Sequence, residues 1–344
     1  MGSDNGTCRI ALDAMGGDHA PHATLDGARQ ALEAWPGLTL LLVGDETRLR
    51  EALPGAGLSP HLSRLEVVPS ASVVEFHDEP SVILKEKKDS SIRVAAQLVR
   101  EGRADAMVSM GHTGAAMMAS TLVIKKLEGV ERPGLAALMP SAEGKPTVFI
   151  EVGASIDSRP DHIVGFAIMG AVYAEQMLGI ENPRVGVMSI GEEETKGTEV
   201  TLEVARRLKE TDLNFKGNAE GRDLWNGSFD VIVCDGFLGN IVLKSAEGLA
   251  KMVGTGLKNA MTSGLRAKLG GWLVRPSVQD FFKQLDYREY GGLPLLGIKG
   301  VSVIGHGSSN GHAVKNGIGA ALRAVEGRLH ERIQARLAQL APKD

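Results

Sequence analysis

The feature that most constrains this chain is a repeated unit: a short apolar run, then a cluster of glycines and small polar residues, then a stretch with helical periodicity. Strand-like runs at Arg9–Leu12, Thr39–Val43, Leu65–Pro69, Ala106–Ser109, Leu135–Met139, Thr147–Val152, Val185–Ser189, Asp230–Cys234 and Val301–Ile304 alternate with helical patterns. The helical patterns cover Ala23–Ala34, Ser90–Glu101, Gly114–Lys126, Pro160–Leu178, Thr198–Lys209, Asn240–Met261 and Gly311–Ala338. This alternation predicts an α/β fold, a mostly parallel sheet with flanking helices. One large unit over residues 8–330 is expected, and Ser141–Pro146 reads as either a subdomain boundary or a hairpin.

In open α/β sheets, ligands collect beyond the carboxyl ends of the strands. Seven clusters fall at such ends: Asp13–Pro21, Ser109–Gly114, Glu151–Ser155, Ser189–Gly197, Asp235–Asn240, Glu289–Gly297 and Gly305–Gly311. They hold many of the 43 glycines in 344 residues, about one in eight against a usual ~7%. One such cluster is an ordinary tight turn. Seven point to a cleft whose backbone approaches a phosphate-bearing ligand, aided by free N–H groups at helix starts.

Several phosphate and nucleophile devices are absent. No G-x-x-x-x-G-K-[ST] occurs, Gly305–Asn310 fails the dinucleotide fingerprint at its last position, and Met107 stands where a nucleophile elbow around Ser109 needs glycine. The formal net charge of −4 gives no footprint for nucleic acid. Two cysteines suit a reducing, cytoplasmic setting. The longest apolar run, Ile163–Ala174, has twelve residues, short of the ~20 that span a bilayer. Any membrane contact is therefore expected to be peripheral. His19 and His22 lie beside Asp18 without further ligands, so no metal and no cofactor are expected.

Taken in order, Asp13–Pro21, Arg132-Pro133, Asn214–Gly221, Asp235–Asn240, Asp286–Gly297 and His306–Ser309 resemble the bacterial phosphate acyltransferases, the acyl-ACP:phosphate transacylases. The similarity runs from about Arg9 to Ala321. Within it, Met110 and His112 stand where Ala and Asn are usual, Glu151 and Ser155 where Asp and Asn are usual, and Leu238 where Thr is usual. The resemblance implies a fold like that of isocitrate and isopropylmalate dehydrogenases, shared with phosphotransacetylase, and a homodimer. It also implies a reaction: acyl-ACP and inorganic phosphate give acyl phosphate and acyl carrier protein. The product would feed a membrane glycerol-phosphate acyltransferase in phospholipid synthesis. Two alternatives are a phosphotransacetylase-like enzyme acting on acyl-CoA, and a non-catalytic scaffold for carrier protein or membrane.

Phosphate is already anionic and nucleophilic at neutral pH, and a thiolate leaves readily, so such an enzyme needs chiefly to position phosphate and stabilise an oxyanion. Lys196, in a Glu-x-x-Lys-Gly motif that the family shares, is expected to bind phosphate or the oxyanion; a local pair with Glu192 or Glu193 is its structural alternative. Asn240, placed at a helix N-terminus, either donates to the same oxygen or caps the helix. His306 is the general-acid candidate for the departing thiolate, with Ser308 and Ser309 cradling phosphate. Asp13 and Asp18 hold the first glycine turn, Gly16-Gly17, or orient Lys196. Thr113, Gly239 and Gly292 complete the phosphate loops, and Arg132 is a second phosphate cation. Cys234 is expected to be buried strand packing.

Between Lys244 and Arg275 six cations face one acid, interleaved with Leu265, Leu269, Trp272 and Leu273. Residues 244–290 are expected to form a protruding amphipathic helical segment, matching the protruding helical pair that the resemblance implies. A basic segment with an apolar, Trp-bearing tip has the composition of an interfacial membrane anchor. Docking of the acidic carrier protein and packing in the dimer fit the same composition.

Overall fold

The computed structural model describes residues 7–285, Glu289 and 291–340. Asp286, Tyr287, Arg288 and Tyr290 of the sequence motif lie outside the described residues. Eleven strands form one sheet: β1 (Cys8–Asp13), β2 (Leu38–Gly44), β3 (Leu65–Pro69), β4 (Ala106–Ser109), β5 (Gly134–Met139), β6 (Thr147–Ile150), β7 (Val185–Met188), β8 (Phe215–Ala219), β9 (Val231–Val233), β10 (Leu293–Leu296) and β11 (Val301–Ile304). Their order is β3-β2-β1-β4-β11-β10-β5-β6-β9-β7-β8.

Pairing divides the sheet into two parallel blocks. β3, β2, β1, β4 and β11 run one way, and β6, β9, β7 and β8 run the other. Antiparallel pairs β11–β10, β10–β5 and β5–β6 join them. The loops that follow the two blocks therefore leave from opposite edges, and the joining strands lie between. Ser141–Pro146 lies in the tight connection of the β5–β6 hairpin.

The strands are apolar because helices cover both faces. Ile10 and Leu12 point into one buried cluster while Ala11 points into the other. The helix Pro160–Leu178 is apolar almost all round and buries Phe166, Ala167, Met169 and Ala174 against the first cluster. The helix Ser91–Arg100 buries Ile92, Ala95, Ala96 and Val99 against the second.

Three sequence expectations need correction. The strand β8 and the strand β10 went unread: one carries polar residues and a register shift near Gly186, the other has Pro294 inside it. The helix expected over Gly311–Ala338 is two helices, Gly311–Glu326 and Leu329–Leu340, broken at Gly327-Arg328, where Arg328 has φ of 50°. Within the helical segment expected over 244–290, a second helix, Leu265–Leu285, runs through Pro276 and the pair Gly270-Gly271. The helix expected from Asn240 begins at Gly236, and Asp235 caps it by accepting from the Leu238 N–H at 3.0 Å. Asn240 is thus a second-turn residue and does not cap the helix.

The long helix Gly236–Thr262 leaves the sheet and turns back through Leu265–Leu285. Gly271 packs against Met261 across this hairpin. On the outer face Leu265 is 88% exposed and Trp272 69% exposed, with Leu269 and Leu273 also exposed.

Candidate active site

The first block ends in three interlocked loops. Asp13, fully buried at the end of β1, accepts from the Ser109 hydroxyl at 2.7 Å at the end of β4. Burial raises the Asp13 carboxyl above its usual range. Asp18 N–H donates to the Gly307 carbonyl at 2.8 Å, tying the first loop to the loop after β11. Gly17 sits between these loops with φ of +104°, and a side chain there would meet the Met110 and Gly307 carbonyls at about 3 Å. Only glycine takes that conformation and that space without strain.

His112 holds the start of the helix that follows β4. Its Nδ1 accepts from the Ala115 N–H at 3.2 Å, capping the helix Thr113–Ala119 as an Asn oxygen would. Its Nε2 reaches the Asp78 carbonyl at 3.0 Å, which fixes the tautomer with the proton on Nε2.

His306 opens the loop after β11. Its Nδ1 accepts from the Ser308 N–H at 3.2 Å and lies 2.8 Å from the Ser308 hydroxyl. This bonding leaves the exchangeable proton on Nε2. Ser309 is buried and donates its N–H to the His306 carbonyl at 3.0 Å, while Asn310 caps the helix that follows.

The second block supplies the facing wall. Glu151, fully buried just beyond β6, accepts at Oε1 from the Gly153 N–H at 2.6 Å and the Ala154 N–H at 2.7 Å. Its Oε2 has no partner of hydrogen-bonding geometry. The first turn of the helix Gly236–Thr262 rests on this loop, and the Cys234 thiol, buried as expected, donates to the Glu151 carbonyl at 3.4 Å. Sequence reasoning gave Glu151 no role. Its signal was only the substitution of Glu for Asp, because burial is a property of the assembled fold.

Burial pushes the Glu151 carboxyl up to about 7, against the two N–H bonds that favour its charged form. The native state then holds a proton that the unfolded chain releases near 4.5. Stability should fall as pH rises from about 4.5 to about 7, by roughly 3 kcal/mol, and level off above. Glu151→Gln, which keeps an acceptor for both N–H groups, should flatten that slope in urea unfolding. An unchanged slope would assign the pH dependence elsewhere.

A cleft of about 250 Å³ runs between the two walls. Thr113, Gly292 and His306 line it from the first block's edge, and Gly153 and Asn240 from the other. Of the residues singled out in the sequence, the structure thus brings together Thr113, Asn240, Gly292 and His306. Gly239 lies directly behind Asn240, packed on the Glu151 carbonyl.

Lys196 lies outside this lining, exposed in the loop after β7. Because β9 and β7 are neighbours, that loop shares an edge with Glu151–Ser155 and Asp235–Asn240. Glu192 pairs with Arg222 at 2.6 Å and Glu194 with Lys209 at 2.7 Å. Arg132, exposed, lines a separate groove with Asp161 and His162. Asp13 and Asp18 brace the glycine loops, and among the described residues no hydrogen bond or ion pair links either of them to Lys196. No group of three or more His, Cys, Asp or Glu side chains among the described residues is arranged to hold a metal.

This architecture is that of the phosphotransacetylases. Their enzyme from Streptococcus pyogenes superposes with a TM-score of 0.61 over 93% of this chain and 94% of its own, at 17% identity. The branched-chain phosphotransacylase of Enterococcus faecalis V583 gives 0.55 over 93% and 99%, at 14% identity. Sequence narrows the class. Residues 8–332 match the family model described as fatty acid synthesis protein. The phosphate acyltransferase of Brevibacillus brevis is 46% identical over 96% of this chain and 97% of its own length. That of Heliobacterium modesticaldum is 47% identical over 92% and 94%. The chain belongs to the phosphate acyltransferase family and is an acyltransferase.

Proposed function

We propose that the acyl donor is an acyl carrier protein thioester, that inorganic phosphate attacks it directly, and that the acyl phosphate product feeds phospholipid synthesis. The observation that carries this reading is the cleft itself, which His306 and Asn240 both line together with an apolar floor and glycine loops. Phosphate enters against the loops that hold Gly16, Gly17, Ser308 and Ser309. Lys196, on the second block's edge, supplies positive charge for the incoming anion. The Asn240 amide donates to the oxyanion as the carbonyl carbon becomes tetrahedral. His306, whose Nδ1 is committed to accepting from the Ser308 N–H, donates a hydrogen bond from Nε2 to the sulfur as the thiolate departs, in place of the proton transfer expected from the sequence. Arg132 lines a separate groove and takes no part in these steps.

The donor is tested by offering phosphate with palmitoyl-ACP or palmitoyl-CoA and trapping acyl phosphate with hydroxylamine. Product from the carrier protein is expected. Product from CoA alone would favour the phosphotransacetylase-like alternative, and none from either donor would leave the scaffold reading.

The protein acts, on this reading, as a cytoplasmic homodimer held peripherally at the membrane's inner face, close to a downstream glycerol-phosphate acyltransferase. Among the described residues no helix is long and apolar enough to cross a membrane. Leu265, Leu269 and Trp272 share one side of their helix at i, i+4 and i+7, with Leu273 at its margin. Arg266, Lys268 and Arg275 flank that stripe. An exposed apolar stripe between cations fits an anionic bilayer surface. Replacing Leu269, Trp272 and Leu273 with polar residues should abolish binding to anionic vesicles; unchanged binding by the folded variant would remove the proposal.

A further inference from the structure

The polar ends of the cleft are accounted for by the transfer chemistry; its middle is not. Between them the sheet presents a floor of Leu135 and Ala137 from β5, Leu293 from β10 and Ile304 from β11. Leu293 pairs with Ile304, and continuing the β10–β5 register from Leu295–Leu135 sets Leu293 level with Ala137. The floor is thus a continuous apolar row across three strands. Above it, Asn240, Leu243, Lys244 and Glu247 of the long helix follow one another at i, i+3, i+4 and i+7 and form one face. Leu243 is the apolar member of that face. Lys244 and Glu247 pair with each other at 2.8 Å on the rim. No charged side chain lies on the floor.

We propose that this apolar row, roofed by Leu243, seats the methylenes of the acyl chain next to the reacting carbonyl, and that Ala137 governs how much chain fits. The inference rests on the acyltransfer reading and assigns it a specificity site. The occupant is an unbranched hydrocarbon chain because the floor is flat and apolar, and because the chain must start at the carbonyl held between Asn240 and His306. Ala137 is the smallest residue of the row, so a larger side chain there would fill the space directly over the strands. Leu243 closes the other side from a half-buried helix position at the margin of the second apolar cluster.

The test is kcat/KM across a series of butanoyl, octanoyl and hexadecanoyl carrier protein donors, each with phosphate. Each methylene seated on the floor should raise kcat/KM about fourfold until the row is filled. Ala137→Leu should lower the hexadecanoyl to butanoyl ratio about tenfold or more, and Leu243→Ala should lower it in the same direction. The ratio within one variant does not depend on the fraction folded. A flat wild-type profile, or an unchanged ratio in both variants, would overturn the assignment while leaving acyl transfer standing. Absence of acyl phosphate from every donor would instead take down the acyltransfer reading, and the pocket with it.

Discussion

Replacing Gly239 with alanine should cost the protein more stability than any other single-methyl addition in the helix that carries Asn240. A methyl group there would lie 1.8 Å from the Glu151 carbonyl oxygen and 2.8 Å from its carbon. Both are backbone atoms, so no rotamer change relieves the clash. Overpacking in cores commonly costs about 1–3 kcal/mol, and a backbone-on-backbone overlap belongs at or beyond the top of that range. The loop it would displace is the one that Glu151 holds through Gly153 and Ala154, so the cleft should fail along with the fold. Gly248 in the same helix is the control: a methyl group there meets nothing within 4 Å. Gly248→Ala should stabilise by about 0.5–1 kcal/mol, because alanine has less backbone freedom to lose. Thermal unfolding followed by circular dichroism should show Gly239→Ala several degrees or more below wild type and Gly248→Ala level or slightly above. Equal midpoints would contradict the packing described for the helix start.

The second large effect is on the chemistry. His306→Ala should reduce kcat by about 10²–10³-fold with little change in KM, since it removes the Nε2–H donor aimed at charge that develops only in the transition state. Asn240→Ala should reduce it by about 10²–10³-fold through loss of one oxyanion donor. Both side chains are exposed at the cleft, so neither variant should lower the thermal midpoint much. A drop in stability with kcat retained would make His306 a structural histidine after all. The two substitutions should combine less than additively, because both act on the same tetrahedral species.

How much of this was legible beforehand depended on whether local or tertiary forces decide each element. β4 and β11 stand where the apolar runs placed them, because a strand buried along its length is written as a short, nearly continuous apolar stretch, and the edge strand β3 stands there too on its run of Leu65, Val67 and Val68. β10 was hidden by Pro294, which a lone strand pattern forbids and which this antiparallel connector accommodates. Residues 244–290 were legible as helical from their basic and apolar composition, but the bounds of the helix Leu265–Leu285 were not, because Gly270, Gly271 and Pro276 argue locally against a helix. Asn240 was placed a turn too early because Gly236 and Gly239 are poor helix formers; they are needed where the turn lies against Glu151 and Ser155. The glycine loops were legible as a group, but their grouping into two facing edges was not. It follows from the reversal at β10 and β5, which no local pattern announces.

The central claim is that phosphate itself is the nucleophile, acting on a bound thioester without an acyl-enzyme intermediate. It is tested most directly by following free thiol and acyl phosphate together in rapid-mixing experiments on the wild-type protein with palmitoyl-ACP, in the presence and absence of phosphate. The account predicts no thiol release without phosphate, and release equal to acyl phosphate formed once phosphate is added. A burst of thiol stoichiometric with enzyme in the absence of phosphate, or thiol release with no acyl phosphate formed, would contradict it.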